Sequence, residues 1–193
     1  MAETLFTVIV EGDPERAATI TEALTGPGLE LRVIAPGPGL ARRIAALQPE
    51  LVLIDAASPS RDELEELTLA SGPMERPVAI FVDQSDSNMP RAVVESGVAA
   101  YVVDGLKPSR LRPVLDAAVA RFNMLHKMRA ELAQTRAALE ERKLVDRAKG
   151  IIMRARNLPE DEAYALMRRT AMEKGRKMAD IAQAVVTASE MLK

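Results

Sequence analysis

The chain has 193 residues, of which 48% are hydrophobic and 28% charged, the composition of an ordinary globular protein. It has no cysteine and a single histidine, His126, which excludes disulfides, thiolate chemistry and a histidine-rich zinc site. No apolar run is long enough to cross a membrane, and the first residues lack a signal-peptide pattern. We therefore expect a cytoplasmic protein without a membrane partner.

The net charge of −2 conceals two regions of opposite sign. Residues 1–116 contain 10 Lys and Arg against 18 Asp and Glu, whereas residues 117–193 contain 16 against 10. A basic region of this kind suits a polyanionic ligand, and the acidic region suits a different partner. The charge distribution therefore predicts two functional parts.

The first region alternates short apolar runs with helical patterns. The runs are LFTVIV, LRVIA, LVLI, VAIFV and AAYVV, starting at residues 5, 31, 51, 78 and 99, and the helical pattern before the last run is NMPRAVVESG, residues 88–97. The nearly continuous β-branched runs predict strands covered on both faces by helices. Five βα units in succession predict an α/β domain over residues 1–116, a flavodoxin-like (βα)5 fold with a parallel, doubly wound sheet.

A long helical pattern follows, from about residue 110 to residue 156, with Pro113 in its first turn, where proline is tolerated. Leucines recur every seven residues at positions 125, 132 and 139, although Thr135 and Arg142 interrupt the seam. We predict that residues 117–143 form a coiled-coil linker that joins two copies of the chain. The alternative is a helix that packs back on its own first domain.

Residues 144–193 predict a small all-α domain of three helices. The segment LPEDEAYALMRRTAMEK begins with proline and three acids, which helix N-termini prefer, and Gly175 predicts a left-handed cap at its end. The segment MADIAQAVVTASEML forms the last helix. We assign the following side chains to the three-helix core: Leu144, Ala148, Ile151, Ile152, Ala155, Ala163, Leu166, Ala171, Ile181 and Ala182.

The stretch VDRAKGIIMRAR, residues 145–156, carries Gly150 inside a helix, at a cost of about 1 kcal/mol relative to alanine. On a helical wheel Gly150 points away from the apolar stripe, and cations stand on both sides of that stripe. The glycine leaves bare backbone that a large anionic ligand could approach closely. The alternative is a solvated rim of charges around an apolar face. The cations are Arg147 and Arg154 on one side and Lys149 and Arg156 on the other.

Tyr164 and Arg168 are one turn apart on the next helix, away from its apolar face. An aromatic ring beside a guanidinium can stack an unpaired nucleic-acid base. A basic cluster follows at the next turn, and the whole basic surface has few acids nearby other than Glu173 and Asp180. The cluster consists of Lys174, Arg176 and Lys177.

Carboxylates follow two strands of the predicted sheet, at the edge where parallel sheets bind ligands. They are Glu11 and Asp13 after the first strand and Asp55 after the third, and together they could hold Mg²⁺. Over residues 5–120 the pattern resembles the receiver domain of response regulators. The resemblance implies that Asp55 is the position of the phosphoryl acceptor.

Several positions depart from the receiver pattern. Gly12 stands in place of the second acid, Asp83 follows Val82 where a hydroxyl is expected, and Asp104 replaces the lysine, with Lys107 three residues further on. Charge developing on a transferred phosphoryl group needs correctly placed donors. We therefore predict a pseudo-receiver; the alternative is an Asp55 that is still phosphorylated.

The segments RAKGIIM, LPEDEAYALMRRTAM and ADIAQAVV occur in this order over residues 140–192 and closely resemble the ANTAR domain, an RNA-binding module. With the receiver-like region and the linker, the chain resembles nitrate- and nitrite-responsive antiterminators of the NasT type. The resemblance implies binding to a leader RNA with two small hairpins, which prevents terminator formation, and sequestration by a nitrate-binding sensor protein. The RNA contacts that it implies are Arg147, Lys149, Gly150, Arg154, Tyr164 and Arg168, with Lys174, Arg176 and Lys177 on phosphates.

Two other functions remain open: a DNA-binding, phosphorylation-dependent response regulator, and a protein-interaction module whose basic part docks on an acidic partner or on its own acidic region. An enzyme is not expected. The loop APGPGLA, residues 35–41, lacks the lysine of a phosphate-binding loop, and no nucleophile stands beside a base. We expect no cofactor apart from Mg²⁺ in the acidic pocket.

Overall fold

The computed structural model describes residues 4–85, 91, 93, 95–103 and 105–191. The chain forms two compact units, Met1–His126 and Lys127–Lys193. The finer division at residues 116/117 and 143/144 remains a prediction. Asp104 and part of the predicted helix at residues 88–97 lie outside the described residues.

The first unit contains a parallel sheet of five strands in the order β2-β1-β3-β4-β5, so the predicted doubly wound α/β fold is confirmed. Three helices of this unit are α1 (Pro14–Leu24), α2 (Leu40–Leu47) and α3 (Arg61–Ser71). The strands are β1 (Leu5–Val10), β2 (Leu29–Ile34), β3 (Leu51–Ala56), β4 (Val78–Val82) and β5 (Ala100–Val102).

Each face of the sheet has its own apolar core. Leu40 and Ile44 of α2 and Leu64 of α3 pack on one face, whereas Ile20 of α1 and Leu111 pack on the other. The prediction that every strand is covered on both faces is wrong for β2. This strand lies at the edge of the sheet, and its residues alternate between half-buried and exposed over most of its length.

The long helix α4 spans Pro108–Arg156. Its start at Pro108 uses the fixed φ of proline, which suits a first helical residue. Pro113 therefore lies in the second turn, and its placement in the first turn is wrong. Residues 127–143 are exposed throughout, including Leu132 and Leu139, each 51% exposed. Within the described chain nothing covers the predicted coiled-coil seam at these positions.

The second unit contains the end of α4 together with α5 (Glu160–Glu173) and α6 (Met178–Met191). Ala155 is exposed, so its assignment to the core is wrong; Leu166 is only half-buried. No described helix combines the length and apolarity needed to cross a membrane. The buried core consists of Ala148, Ala163, Met167, Ala171, Ile181, Ala182 and Val186.

Backbone caps close both turns of this unit. Gly175 has φ +58°, and the N–H of Arg176 donates to the carbonyl of Ala171 at 2.9 Å, which confirms the predicted left-handed cap. Asn157, with φ 52°, ends α4 in the same way, and the N–H of Leu158 donates to the carbonyl of Met153 at 3.2 Å. The short connections hold the three helices close together.

Candidate nucleic-acid interface and acidic pocket

Three carboxylates meet at the carboxyl edge of the sheet in the first unit. Glu11 follows β1, Asp55 lies in β3 and Asp83 follows β4. The Asp55 side chain is 0% exposed and Glu11 is also buried, and both line a cavity of about 190 Å³. Buried carboxylates are stable only with a counter-charge and hydrogen bonds, so the pocket needs a cation.

Arg16, in the first turn of α1, supplies that cation. Its Nε and Nη2 donate to the two oxygens of Asp55 at 2.8 and 2.9 Å, a bidentate pair. Its Nη1 and Nη2 also donate to Asp83, at 2.9 and 3.2 Å. One guanidinium therefore bridges two carboxylates from neighbouring strands.

The pocket still carries more negative than positive charge. The hydrogen bonds to Asp55 and Asp83 raise the pKa of Arg16, which remains a cation. Burial and the neighbouring Asp55 raise the pKa of Glu11, although the Asp13 N–H donates to Glu11 Oε1 at 2.7 Å. Within the described chain Glu11 Oε2 has no hydrogen-bond partner and lies 3.6 Å from Arg16 Nε. The ionised form of Glu11 is therefore penalised.

Two sequence predictions for this pocket are wrong. Asp13 does not point into it: its Oδ1 accepts the N–H groups of Glu15 and Arg16 and caps α1. Among the described residues no group of three acids or histidines could hold a metal, so the Mg²⁺ site of Glu11, Asp13 and Asp55 is not formed. Lys107 is exposed, and the cation that pairs with Asp55 is Arg16 instead.

Gly105 lies directly against Asp83. Its φ is +73°, and a Cβ at this position would lie 2.7 Å from Asp83 Oδ1. Its N–H donates to the carbonyl of Val82 at 3.0 Å. Only glycine fits both the backbone conformation and the contact.

In the second unit, Gly150 lies on the open side of α4. A Cβ there would meet only Arg154 Nη1, at 3.8 Å. The expected patch of bare backbone is present, and Arg147 and Arg154 lie one turn before and after it. This arrangement leaves space at Gly150 for a ligand.

Two of the predicted RNA-binding cations, Lys149 and Arg147, form ion pairs with acidic side chains. Lys149 Nζ lies 2.6 Å from Glu160 and 2.9 Å from Asp146, and its side chain is only 17% exposed. The hydrogen bond to Glu160, then that to Asp146, raises the pKa of Lys149, and Lys149 lowers the pKa of Asp146. Arg147 Nη2 pairs with Glu190 at 2.7 Å. The expectation of few nearby acids is therefore wrong.

Tyr164 and Arg168 lie exposed, one turn apart, on α5. Ala163 and Met167, which neighbour them in sequence, face the core. The basic cluster Lys174, Arg176 and Lys177 is exposed as well, and the Lys177 backbone N–H donates to Asp180 at 3.3 Å. This face presents an aromatic ring and cations to solvent.

Sequence reasoning missed Arg16, Asp83 and Glu190 as functional neighbours. For Arg16 a signal existed: a buried Asp55 without the usual lysine requires another cation, and Arg16 lies in the first turn of the helix that follows the first strand. For Glu190 no local signal exists, because it is 43 residues from Arg147.

Comparison with known proteins identifies the fold of the first unit and a domain within the second unit. The fold is similar to the signal receiver domain of a diguanylate cyclase from Desulfovibrio desulfuricans, with a TM-score of 0.52 and 19% identity, covering 63% of this chain and 98% of that one. Residues 133–186 match the ANTAR domain family. The chain therefore contains an ANTAR domain over these residues, and its first unit has the receiver fold.

Two relatives are named as regulatory proteins. The chain is 28% identical to the transcriptional regulatory protein PdtaR of Mycobacterium tuberculosis over 93% of its own length and 88% of that protein. A 63-residue segment is 38% identical to the nitrate regulatory protein of Klebsiella oxytoca, which covers 33% of this chain and 16% of that protein. Both names describe regulatory proteins.

Proposed function

We propose that the chain binds a leader RNA containing two small hairpins and holds it in a form that excludes the terminator, so that transcription continues. The match of residues 133–186 to the ANTAR domain carries this proposal. A regulator of this kind works in the cytoplasm, where the transcript is made.

The surface of α5 supports the proposal. Tyr164 is 45% exposed and Arg168 is exposed beside it. Unpaired bases stack on aromatic rings and guanidinium planes, and such stacking tolerates different bases. The exposed cluster Lys174, Arg176 and Lys177 supplies cations for phosphates. A hairpin loop offers both unpaired bases and phosphates.

The test compares two neighbouring arginines. Full-length protein selects RNAs from a pool with two hairpins and randomised loops, and the affinity of Arg168→Ala and Arg169→Ala for a selected RNA is measured. Both arginines are exposed and the two changes remove the same charge. We expect the larger loss for Arg168→Ala, because only Arg168 lies one turn from Tyr164; equal losses would show that charge alone matters.

Duplex DNA of equal length, measured in the same assay, separates this proposal from a DNA-binding regulator. We expect the selected RNA to bind more tightly than the DNA at every salt concentration. Tighter binding to DNA would favour the alternative function.

We further propose control by a partner protein instead of phosphorylation. Arg16 occupies both oxygens of Asp55, the atoms that a phosphoryl group would have to reach. We expect no added mass when the protein is incubated with acetyl phosphate and Mg²⁺. A phosphoryl group on Asp55 would contradict this part of the proposal.

We propose that the partner is a nitrate-binding sensor and that the target is the leader of nitrate assimilation genes, because a segment of the chain is similar to a nitrate regulatory protein. Sequencing of RNA crosslinked to the protein in cells, with and without nitrate, tests both. We expect such leaders to be recovered only when nitrate is present. Recovery of unrelated leaders would remove nitrate from the proposal.

A homodimer would present two RNA-binding surfaces to two hairpins. The exposed Leu132 and Leu139 form a seam that a second copy would cover. We expect sedimentation to show a dimer that Leu132→Glu dissociates. A monomer at all concentrations would mean that the two copies meet only on RNA.

A further inference from the structure

A cavity of about 410 Å³ lies between the end of α4 and α6 in the second unit. Its apolar lining consists of Ile151, Ala155 and Val186, and its polar lining includes Arg147, Arg154 and Ser189. The volume falls within the range of about 300–1,000 Å³ that is typical of small-ligand sites. Ala155 faces this cavity, which explains why it is absent from the core.

Charge and shape together restrict what the cavity can hold. Two guanidinium groups, Arg147 and Arg154, face a single carboxylate, Glu190, so an anionic ligand is favoured. The apolar lining suits a flat ring, and the arginines suit a phosphate attached to it. At Gly150, beside Arg154, the backbone of a ligand could pass without a side chain in its way.

We propose that this cavity receives one unpaired base of the bound RNA, with Arg154 and Arg147 on its phosphate. The inference rests on the proposed RNA-binding function and adds a second base site. No α5 residue lines the cavity, so this site is separate from Tyr164 and Arg168.

Arg147 and Glu190 form an ion pair in the lining of the cavity. Their nitrogen and oxygen are 2.7 Å apart, and the two side chains are 59% and 54% exposed. Exposed pairs contribute little to stability and exchange readily. A phosphate replaces the Glu190 carboxylate on Arg147 when the base enters.

The experiment fills the cavity without changing its charge. Ala155→Leu introduces a larger side chain at an exposed position near the end of α4, and leucine is a good helix former. The control is Ala137→Leu, the same change at another exposed position of the same helix, and Ala137 does not line the cavity. The probe is a two-hairpin RNA that the wild-type full-length protein selects from a pool with randomised loops.

We expect Ala155→Leu to weaken RNA binding at least about fivefold, the effect of losing one stacked base. Ala137→Leu should leave the affinity unchanged. Equal affinities for the two variants would overturn the cavity proposal while leaving RNA binding intact. Failure of the wild-type protein to select any RNA over duplex DNA would instead overturn the proposed function, and this inference with it.

A scan of the RNA identifies the base. Each loop nucleotide is replaced in turn by an abasic one, and binding is measured with wild type and with Ala155→Leu. At one position the two losses should not add, because both remove the same contact. Additive losses at all positions would overturn the proposal. Ser189→Leu, on the opposite wall, should reproduce the result, and unchanged melting curves show that both variants fold.

Discussion

The acidic pocket of the first unit and the cationic surface of the second unit face the same electrostatic problem. Each contains like charges in close proximity, and each satisfies them with an internal counter-charge. In the pocket, Arg16 pairs with Asp55, whose side chain is 0% exposed. On the surface, Arg147 pairs with Glu190, and both are more than half exposed.

The two ion pairs differ because Asp55 is buried, whereas Arg147 and Glu190 are exposed. Removing one partner of a buried pair leaves a charge without solvent, whereas removing one partner of an exposed pair returns the other to water. The Arg16 pair is therefore a permanent part of the fold. In the exposed pair, a phosphate can replace Glu190 as the partner of Arg147.

The largest expected effect is at Arg16. Arg16→Met should lower the free energy of unfolding by about 3 kcal/mol, because Asp55 would remain buried and charged without a partner. Urea denaturation of the full chain measures the change. The control, Arg61→Met, breaks the exposed pair with Glu65 and should cost less than about 0.5 kcal/mol.

A second variant separates lost charge from lost packing. The double variant Arg16→Met, Asp55→Asn should recover part of the stability lost in Arg16→Met alone, because no uncompensated charge remains at position 55. If the two losses simply add, the pair does not act as a unit.

The next effect in size is at Gly150. Gly150→Ala should raise the free energy of unfolding by about 1 kcal/mol, since the new methyl group would meet only Arg154 at 3.8 Å. Binding to the selected RNA should weaken at the same time, because the bare backbone is lost. Gly175→Ala is the matched control: with φ +58° it should destabilise instead. A stabilised variant with unchanged RNA affinity would leave Gly150 without a binding role.

A smaller effect should follow from Glu11. Its pKa is raised above the ordinary value of 4.5, so the folded state disfavours its ionised form once the pH exceeds that value. Glu11→Gln removes this penalty and should be more stable than wild type at pH 7. The difference should shrink towards zero as the pH falls below 4.5, where Glu11 is protonated in both states. Unfolding curves between pH 4 and pH 8 test the sign.

The smallest effect on stability should be at Glu190. Glu190→Gln should change the free energy of unfolding by less than about 0.5 kcal/mol, because the pair with Arg147 is exposed. Its affinity for RNA at low salt should nevertheless increase, since Arg147 is released. Asp161→Asn removes an exposed acid elsewhere in the unit and controls for net charge. Equal gains from both changes would indicate a general charge effect.

The sequence predicted those features that depend on neighbouring residues in the chain, such as strand bounds and helix caps. The β-branched runs predicted β1 and β4 with their observed bounds, and Gly175 predicted a left-handed cap, because each depends on a few neighbouring residues. The start of α4 was predicted too late, since Pro113 is compatible with a first turn and Pro108 suits one better.

Tertiary pairs could not be predicted in the same way. Asp13 appeared to belong with Glu11 and Asp55 because all three follow strands, but its short side chain caps α1. The partner of Asp55 is 39 residues away and that of Arg147 is 43 residues away. Such pairs follow from the folded arrangement, which periodicity does not encode.

The bridge formed by Arg16 also constrains how this chain can evolve. Loss of Arg16 alone leaves Asp55 without its counter-charge. Loss of Asp55 alone leaves the Arg16 guanidinium paired with Asp83 only. Gly105 is tied to the same arrangement, because any side chain there would collide with Asp83. We therefore expect the residues at positions 16, 55 and 105 to change together and not one at a time.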